Sequence, residues 1–98
     1  MELKFKNFFV CFVKRWFDKK NGNTYHSVEI YEKEKLLTKV DFAYGYGTAY
    51  EQTILEELIK HGFYKKSDCM SSLRRTVKEI HGDDLLVFVA DVSSKKDL

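Results

Sequence analysis

The side chains best suited to chemistry in this 98-residue chain are three histidines, two cysteines and two adjacent pairs of acids. His26, His61 and His81 fall on different stretches, with no H-x-x-x-H and no cysteine knuckle, so a metal site would need long-range convergence. His61 and His81 each precede a glycine and read as cations closing helix C-termini. Ser27 follows His26, but neighbouring strand residues point to opposite faces, so one does not serve the other as a base. Glu56-Glu57 reads as helix surface and Asp83-Asp84 as a turn, both places for solvated acids rather than tuned acid–base work. Cys11 and Cys69 are isolated from each other and read as buried, reduced thiols. No catalytic residue, metal ligand or cofactor is assigned.

A second kind of chemistry is recognition. Phe42 to Glu51 runs from an aromatic strand through Gly45 and Gly47 into a helix, where Thr48 and Glu51 have the T-x-x-E spacing of a capping box. Glycines before a helix N-terminus suit an anion. This turn lacks the third glycine of a dinucleotide fingerprint and the Gly-Lys-Ser/Thr of a P-loop. A structural joint is the favoured reading, with a ligand or anion pocket at Tyr44–Tyr50 as the alternative. Tyr25, Tyr31, Tyr44, Tyr46 and Tyr50 are the candidate partner-binding residues, because a tyrosine ring has an apolar body and a wet tip. Basic residues gather as Lys14, Arg15, Lys19 and Lys20, and again as Arg74, Arg75 and Lys78 on one helical face with Ser71. They could track phosphates. A solvated helix face is the plainer reading, since the net charge is only +2.

The elements that must hold these residues follow from composition and periodicity. Apolar residues make up 44% and charged residues 33%, as in a globular domain with a single core. No apolar run approaches the roughly 20 residues that span a bilayer, and charges at Glu2, Lys4 and Lys6 break any signal-peptide core, so a cytoplasmic location is expected. Leu3 to Phe17 reads as a central strand with both faces buried. The Asn21-Gly22 turn leads to a strand at Tyr25–Glu32, and the charged Lys33-Glu34-Lys35 turn to a third at Leu36–Tyr44. On the third strand Leu36, Val40, Phe42 and Tyr44 are expected to share a face. A helix from Thr48 to about Lys60 should end at Gly62. Met70, Leu73, Val77 and Ile80 predict a second helix, capped by Ser67 or Asp68, and Leu85–Ala90 a buried last strand. The expectation is one α+β domain over 1–98, a two-layer sandwich in the order β-β-β-α-α-β, its antiparallel meander packed by two helices, with 93–98 a polar flexible tail.

Asn21-Gly22-Asn23-Thr24-Tyr25-His26-Ser27-Val28, followed by Phe42-Ala43-Tyr44-Gly45-Tyr46-Gly47 and Tyr50, resembles a motif pair of small uncharacterised phage and archaeal mobile-element proteins. The likeness covers about residues 15 to 60. It implies a viral or mobile-element source and assigns no function or site residue. The β-β-β-α order with its glycine turn also looks like the later part of a double-stranded RNA-binding domain. Where such a domain has lysines at the helix N-terminus, Thr48, Ala49 and Glu51 stand here. Three functions are therefore carried forward. In order they are a non-catalytic protein that binds and modulates a host protein, for instance as an anti-defence factor; a nucleic-acid-binding module; and a small ligand-binding protein or enzyme. No membrane partner is expected, and self-association is left open.

Overall fold

The computed structural model describes residues 7–45, 47–69, 72–80 and 82–98. The chain forms β1 (Phe8–Asp18), β2 (Asn23–Glu32), β3 (Lys35–Tyr44), α1 (Ala49–Lys60), a π-helical segment (Arg75–Ile80) and β4 (Asp84–Val92), with short 3-10 turns at Lys66–Asp68 and Lys95–Asp97. The α+β class holds, but the expected meander packed by two helices does not. The sheet is four-stranded and mixed, in the order β3-β2-β1-β4, and β4 runs parallel to β1. Among the described residues only α1 is a regular helix of any length; Leu73 and Val77 are buried as expected, yet the backbone around them winds into wider π turns.

The β1–β2 hairpin closes as its sequence dictates. The Asp18 carboxylate accepts from the Lys20 and Asn21 amides at 3.1 and 3.4 Å and from the Asn21 side chain at 2.7 Å. Those bonds, with the Asn21 side chain foremost, hold the Asp18 pKa below its usual value. At the far end of the meander, α1 starts after Thr48, but the Thr48 hydroxyl makes no capping bond; the Glu51 amide goes to the Thr48 carbonyl instead, at 2.9 Å. The joint depends on Gly45. Its φ is +146°, and a Cβ there would lie 2.5 Å from Ala49 Cβ, so only glycine lets the strand turn this tightly beneath the helix. The C-terminus of α1 ends as expected at Gly62, whose amide bonds Ile59 while that of Phe63 bonds Leu58, each at 3.0 Å.

From the β3 edge the chain must reach the β4 edge, and α1 with the segments after it crosses a single face of the sheet. The core lies there: Phe9, Cys11 and Val13 from β1, Val28 and Ile30 from β2, Ile54, Leu55 and Leu58 from α1, then Tyr64, Leu73, Val77 and Leu85. Two register shifts on β2–β3 reset the side-chain alternation, so Val40 packs toward the core while Phe42 stacks on Tyr25 on the opposite face. Leu36, Val40 and Phe42 therefore do not share one face. The two-sided burial expected of β1 fails as well, since Phe12 is 45% exposed on the face the helices leave open. The last strand is equally open: it is an edge strand, with Leu86 48% and Phe88 53% exposed.

A buried carboxylate joins the ends of this crossover. Asp83 Oδ2 accepts the Tyr64 hydroxyl at 2.8 Å and the Asn7 side chain at 3.3 Å, while Oδ1 accepts the Asn7 amide at 3.0 Å. The Asp84 amide then bonds the Asn7 carbonyl at 2.9 Å, starting the parallel ladder. Burial first, and the Asp83 bond second, push the Tyr64 hydroxyl far above its ordinary pKa. Asp83 is thus not the solvated turn acid its sequence context implies. Replacing Asp83 with Ala leaves the Tyr64 hydroxyl and the Asn7 amide without their acceptor and should cost about 2–3 kcal/mol of stability, read as a lower denaturation midpoint.

Neither Cys11 nor Cys69 is in a disulfide. Burial pushes the Cys11 thiol up to about 12, while the Cys69 sulfhydryl donates to the Lys65 carbonyl at 3.2 Å. Because the thiolate is the reactive form, Cys11 should resist a maleimide or disulfide reagent in native buffer and label only on unfolding; fast native labelling would contradict the packed face of β1.

Candidate interaction face

Phe12, Lys14 and Trp16 of β1, Tyr25, Glu29 and Tyr31 of β2, Leu36 and Phe42 of β3, and Leu86 and Phe88 of β4 share the face opposite the helices. The aromatic rings form two ladders across the strands. In one, Trp16 stacks on Tyr25 with centroids 5.7 Å apart, and Tyr25 on Phe42 at 4.5 Å. Tyr44 meets Tyr25 edge-on at 5.7 Å. In the other, Phe88 stacks on Phe12 at 5.5 Å, and Tyr31 and Phe12 meet edge to face at 5.7 Å. Offset parallel stacking of this kind turns part of each ring face toward its neighbour. The C-terminal turn reaches the first ladder, where Lys95 Nζ lies 5.0 Å over the Phe42 ring.

Polar groups punctuate the apolar face. Lys14 lies mid-strand between Phe12 and Trp16, beside Ser27 of β2 and Ala90 of β4. Glu29 accepts the Tyr31 hydroxyl at 3.2 Å, and that bond raises the Tyr31 pKa. Lys39 and Asp41 pair with each other at 3.4 Å on the β3 edge.

Of the tyrosines singled out in the sequence, Tyr25, Tyr31 and Tyr44 therefore gather on or beside this face. Tyr50 packs half-buried against the core on the other side, and Tyr46 lies outside the described residues. The basic candidates do not converge. Lys14 is on the open face, while Arg15 points away from it and is held by Asp91 at 2.9 Å. Lys19 and Lys20 sit in the first hairpin turn, and Arg74, Arg75 and Lys78 are exposed along the π-helical region, Arg75 pairing with Glu79 at 3.3 Å. Of their proposed companion Ser71 nothing is described. Sequence reasoning missed Phe12, Phe88 and Leu86, because apolar residues on both sides of a strand signal burial on both sides.

The glycine turn has a cleft beside it. About 470 Å³ in volume, it is lined by Arg15, Phe17, Lys19, Thr24, Gly47, Asp91, Val92 and Ser93. Arg15 spans it, with Nη1 donating to the Gly47 carbonyl at 3.1 Å and Nε to Asp91. Its guanidinium is thereby committed to the chain itself. Among the described residues no three His, Cys, Asp or Glu side chains lie close enough to hold a metal ion. No described helix is long and apolar enough to cross a membrane. Set against protein-family models, curated proteins and solved structures, the chain has no match in any of the three.

The histidine nearest the glycine turn is structural. His26 is buried, its Nε2 is 2.7 Å from Thr53 Oγ1 on α1, and its Nδ1 has no hydrogen-bond partner among the described residues. Burial lowers its pKa, which the Gly45 backbone opposes only in part. The folded state therefore binds this proton less readily than the unfolded chain. That stabilising contribution is present above the unfolded histidine value near 6.5 and is lost as the pH falls below it. The denaturation midpoint should drop between about pH 7 and about pH 5, and His26→Gln should flatten that part of the profile. An unchanged slope in the variant would assign the acid sensitivity to other groups.

Proposed function

We propose that this chain is a small non-catalytic interaction protein, of viral or mobile-element origin and acting in the host cytoplasm, that docks a host protein on the open face of its sheet. The observation that carries the reading is the pair of aromatic ladders. A soluble monomer rarely leaves so many large apolar side chains contiguous and uncovered, and Tyr, Trp and Phe are the residues that dominate protein interfaces. Ring orientation argues for a protein over a nucleic acid. Base-stacking platforms offer free ring faces, whereas Tyr25 is stacked by both Trp16 and Phe42, and Phe12 is stacked by Phe88. The cations are spread over both layers, so no continuous phosphate track supports the nucleic-acid alternative. The cleft beside Gly47 supports the ligand reading less, because its arginine is already paired.

Capture of a partner from host lysate should survive nuclease treatment and change little between low and moderate salt. Phe12→Ala or Trp16→Ala, checked for retained fold, should weaken binding of the captured partner by roughly tenfold or more, while the double change Arg74→Ala with Arg75→Ala should leave it nearly unchanged. Binding that depends on the arginine pair and collapses with salt would establish the nucleic-acid module instead.

A further inference from the structure

Resting on the reading of the open face as a protein-docking surface, we propose that in the free protein this face is occupied by a second copy of the chain, in a two-fold face-to-face dimer that a partner must displace.

The argument starts at the centre of the face. In the order β3-β2-β1-β4, the middle lies between β1 and β2, and Phe12 pairs there with Glu29 and Lys14 with Ser27. Lys14 and Glu29 are diagonal neighbours, about 7–8 Å apart at Cα. Among the described residues neither has an ion-pair partner within 4.0 Å, and Lys14 is exposed. Glu29 accepts the Tyr31 hydroxyl and stands opposite Lys39, which pairs with Asp41, so Lys14 and Glu29 are a cation and a carboxylate outside any ion pair of the described residues, and a surface bearing the opposite arrangement suits them. This chain is itself such a partner. A two-fold axis lying in the interface along the Phe12–Ser27 diagonal exchanges the positions of Lys14 and Glu29. Each Lys14 then meets the other copy's Glu29, so two ion pairs form at the centre and Phe12 falls against its own mate beside the axis.

The surroundings agree with that symmetry. Phe88, Leu86 and Val10 extend the apolar zone on the β4 side of Phe12. They lie close enough to the axis to meet the same group from the second copy. Four strands spaced about 4.8 Å, with about nine residues rising about 3.3 Å each, give a projected area on the order of 600 Å² per copy. That is below the roughly 800 Å² per partner of a standard interface, so the dimer is expected to be reversible rather than obligate. A reversible dimer both shields the ladders and leaves them available.

The test is sedimentation velocity on the full chain from about 1 to about 200 μM, with the circular dichroism spectrum confirming the fold of each variant. The wild type should pass from monomer to dimer across this range. Lys14→Glu and Glu29→Lys should each weaken dimerisation about tenfold or more by setting like charges opposite one another. The double variant Lys14→Glu with Glu29→Lys should restore it to within about threefold of wild type, because the two-fold re-pairs the exchanged charges. Wild type that stays monomeric throughout overturns the dimer while leaving the partner-docking face to be judged by its ring variants. A dimer indifferent to both charge reversals, or a double variant no tighter than the singles, also overturns it, since another surface then holds the copies together.

Discussion

The Asp83 carboxylate is the interaction on which the arrangement depends. It takes the Tyr64 hydroxyl from the segment after α1 and both the backbone and the side chain of Asn7 from the residue before β1. Those bonds hold the start of β4 against the start of β1, with the strands pointing the same way. Parallel pairing needs a crossover rather than a tight turn, and this crossover begins at the opposite edge of the sheet. One helical layer is thereby spent on one face. Nothing in the described chain beyond the C-terminal turn reaches the other.

What that open face becomes is decided by β4. A strand placed beside β1 in this register sets Phe88 next to Phe12 and Leu86 next to Val10, so the second ladder exists only because the parallel pairing exists. The first ladder depends on β2–β3 instead, where the register shift between His26 and Val28 swings Phe42 out of phase with Val40 and onto Tyr25. Two independent features, one a long-range pairing and the other a local irregularity, therefore deliver aromatic rings to the same surface. Rings stacked on their neighbours also lose little further side-chain freedom when covered, which lowers the entropic cost of docking.

Local features were the legible ones. Asn21-Gly22 marked the first hairpin, Lys33-Glu34 the second, and Gly62 the end of α1, because each acts through bonds within a few residues. Cys11 was readable as buried from its apolar strand. The capping box was not made, although Thr48 and Glu51 have its spacing, since the tight approach of Gly45 to Ala49 sets the entry to α1 and the Glu51 amide bonds the Thr48 carbonyl. The partner of β4 was invisible, because strand order is set by non-local contacts that leave no periodicity in the sequence. Asp83 was misread for the same reason: its partners Asn7 and Tyr64 lie 76 and 19 residues away. Of the five tyrosines, the three on β2 and β3 lie on or beside the open face. The phenylalanines that share it looked like core.

That confusion between core and interface has a physical root. Alternation reports that a side chain avoids water, not what it avoids water against. On β1, Phe9, Cys11 and Val13 are buried by the chain's own helices, while Phe12 and Trp16 across the sheet stack on neighbouring rings. Had the second face been destined for a further helix, charges at Lys14 and Glu29 would have been buried at a cost of several kcal/mol per ion unless paired with good geometry. Their presence at the centre of the apolar surface fits a covering that comes and goes. Charged residues there keep an uncovered sheet soluble, suppress unspecific stacking of apolar faces, and favour only those partners that supply the opposite charges in the right place.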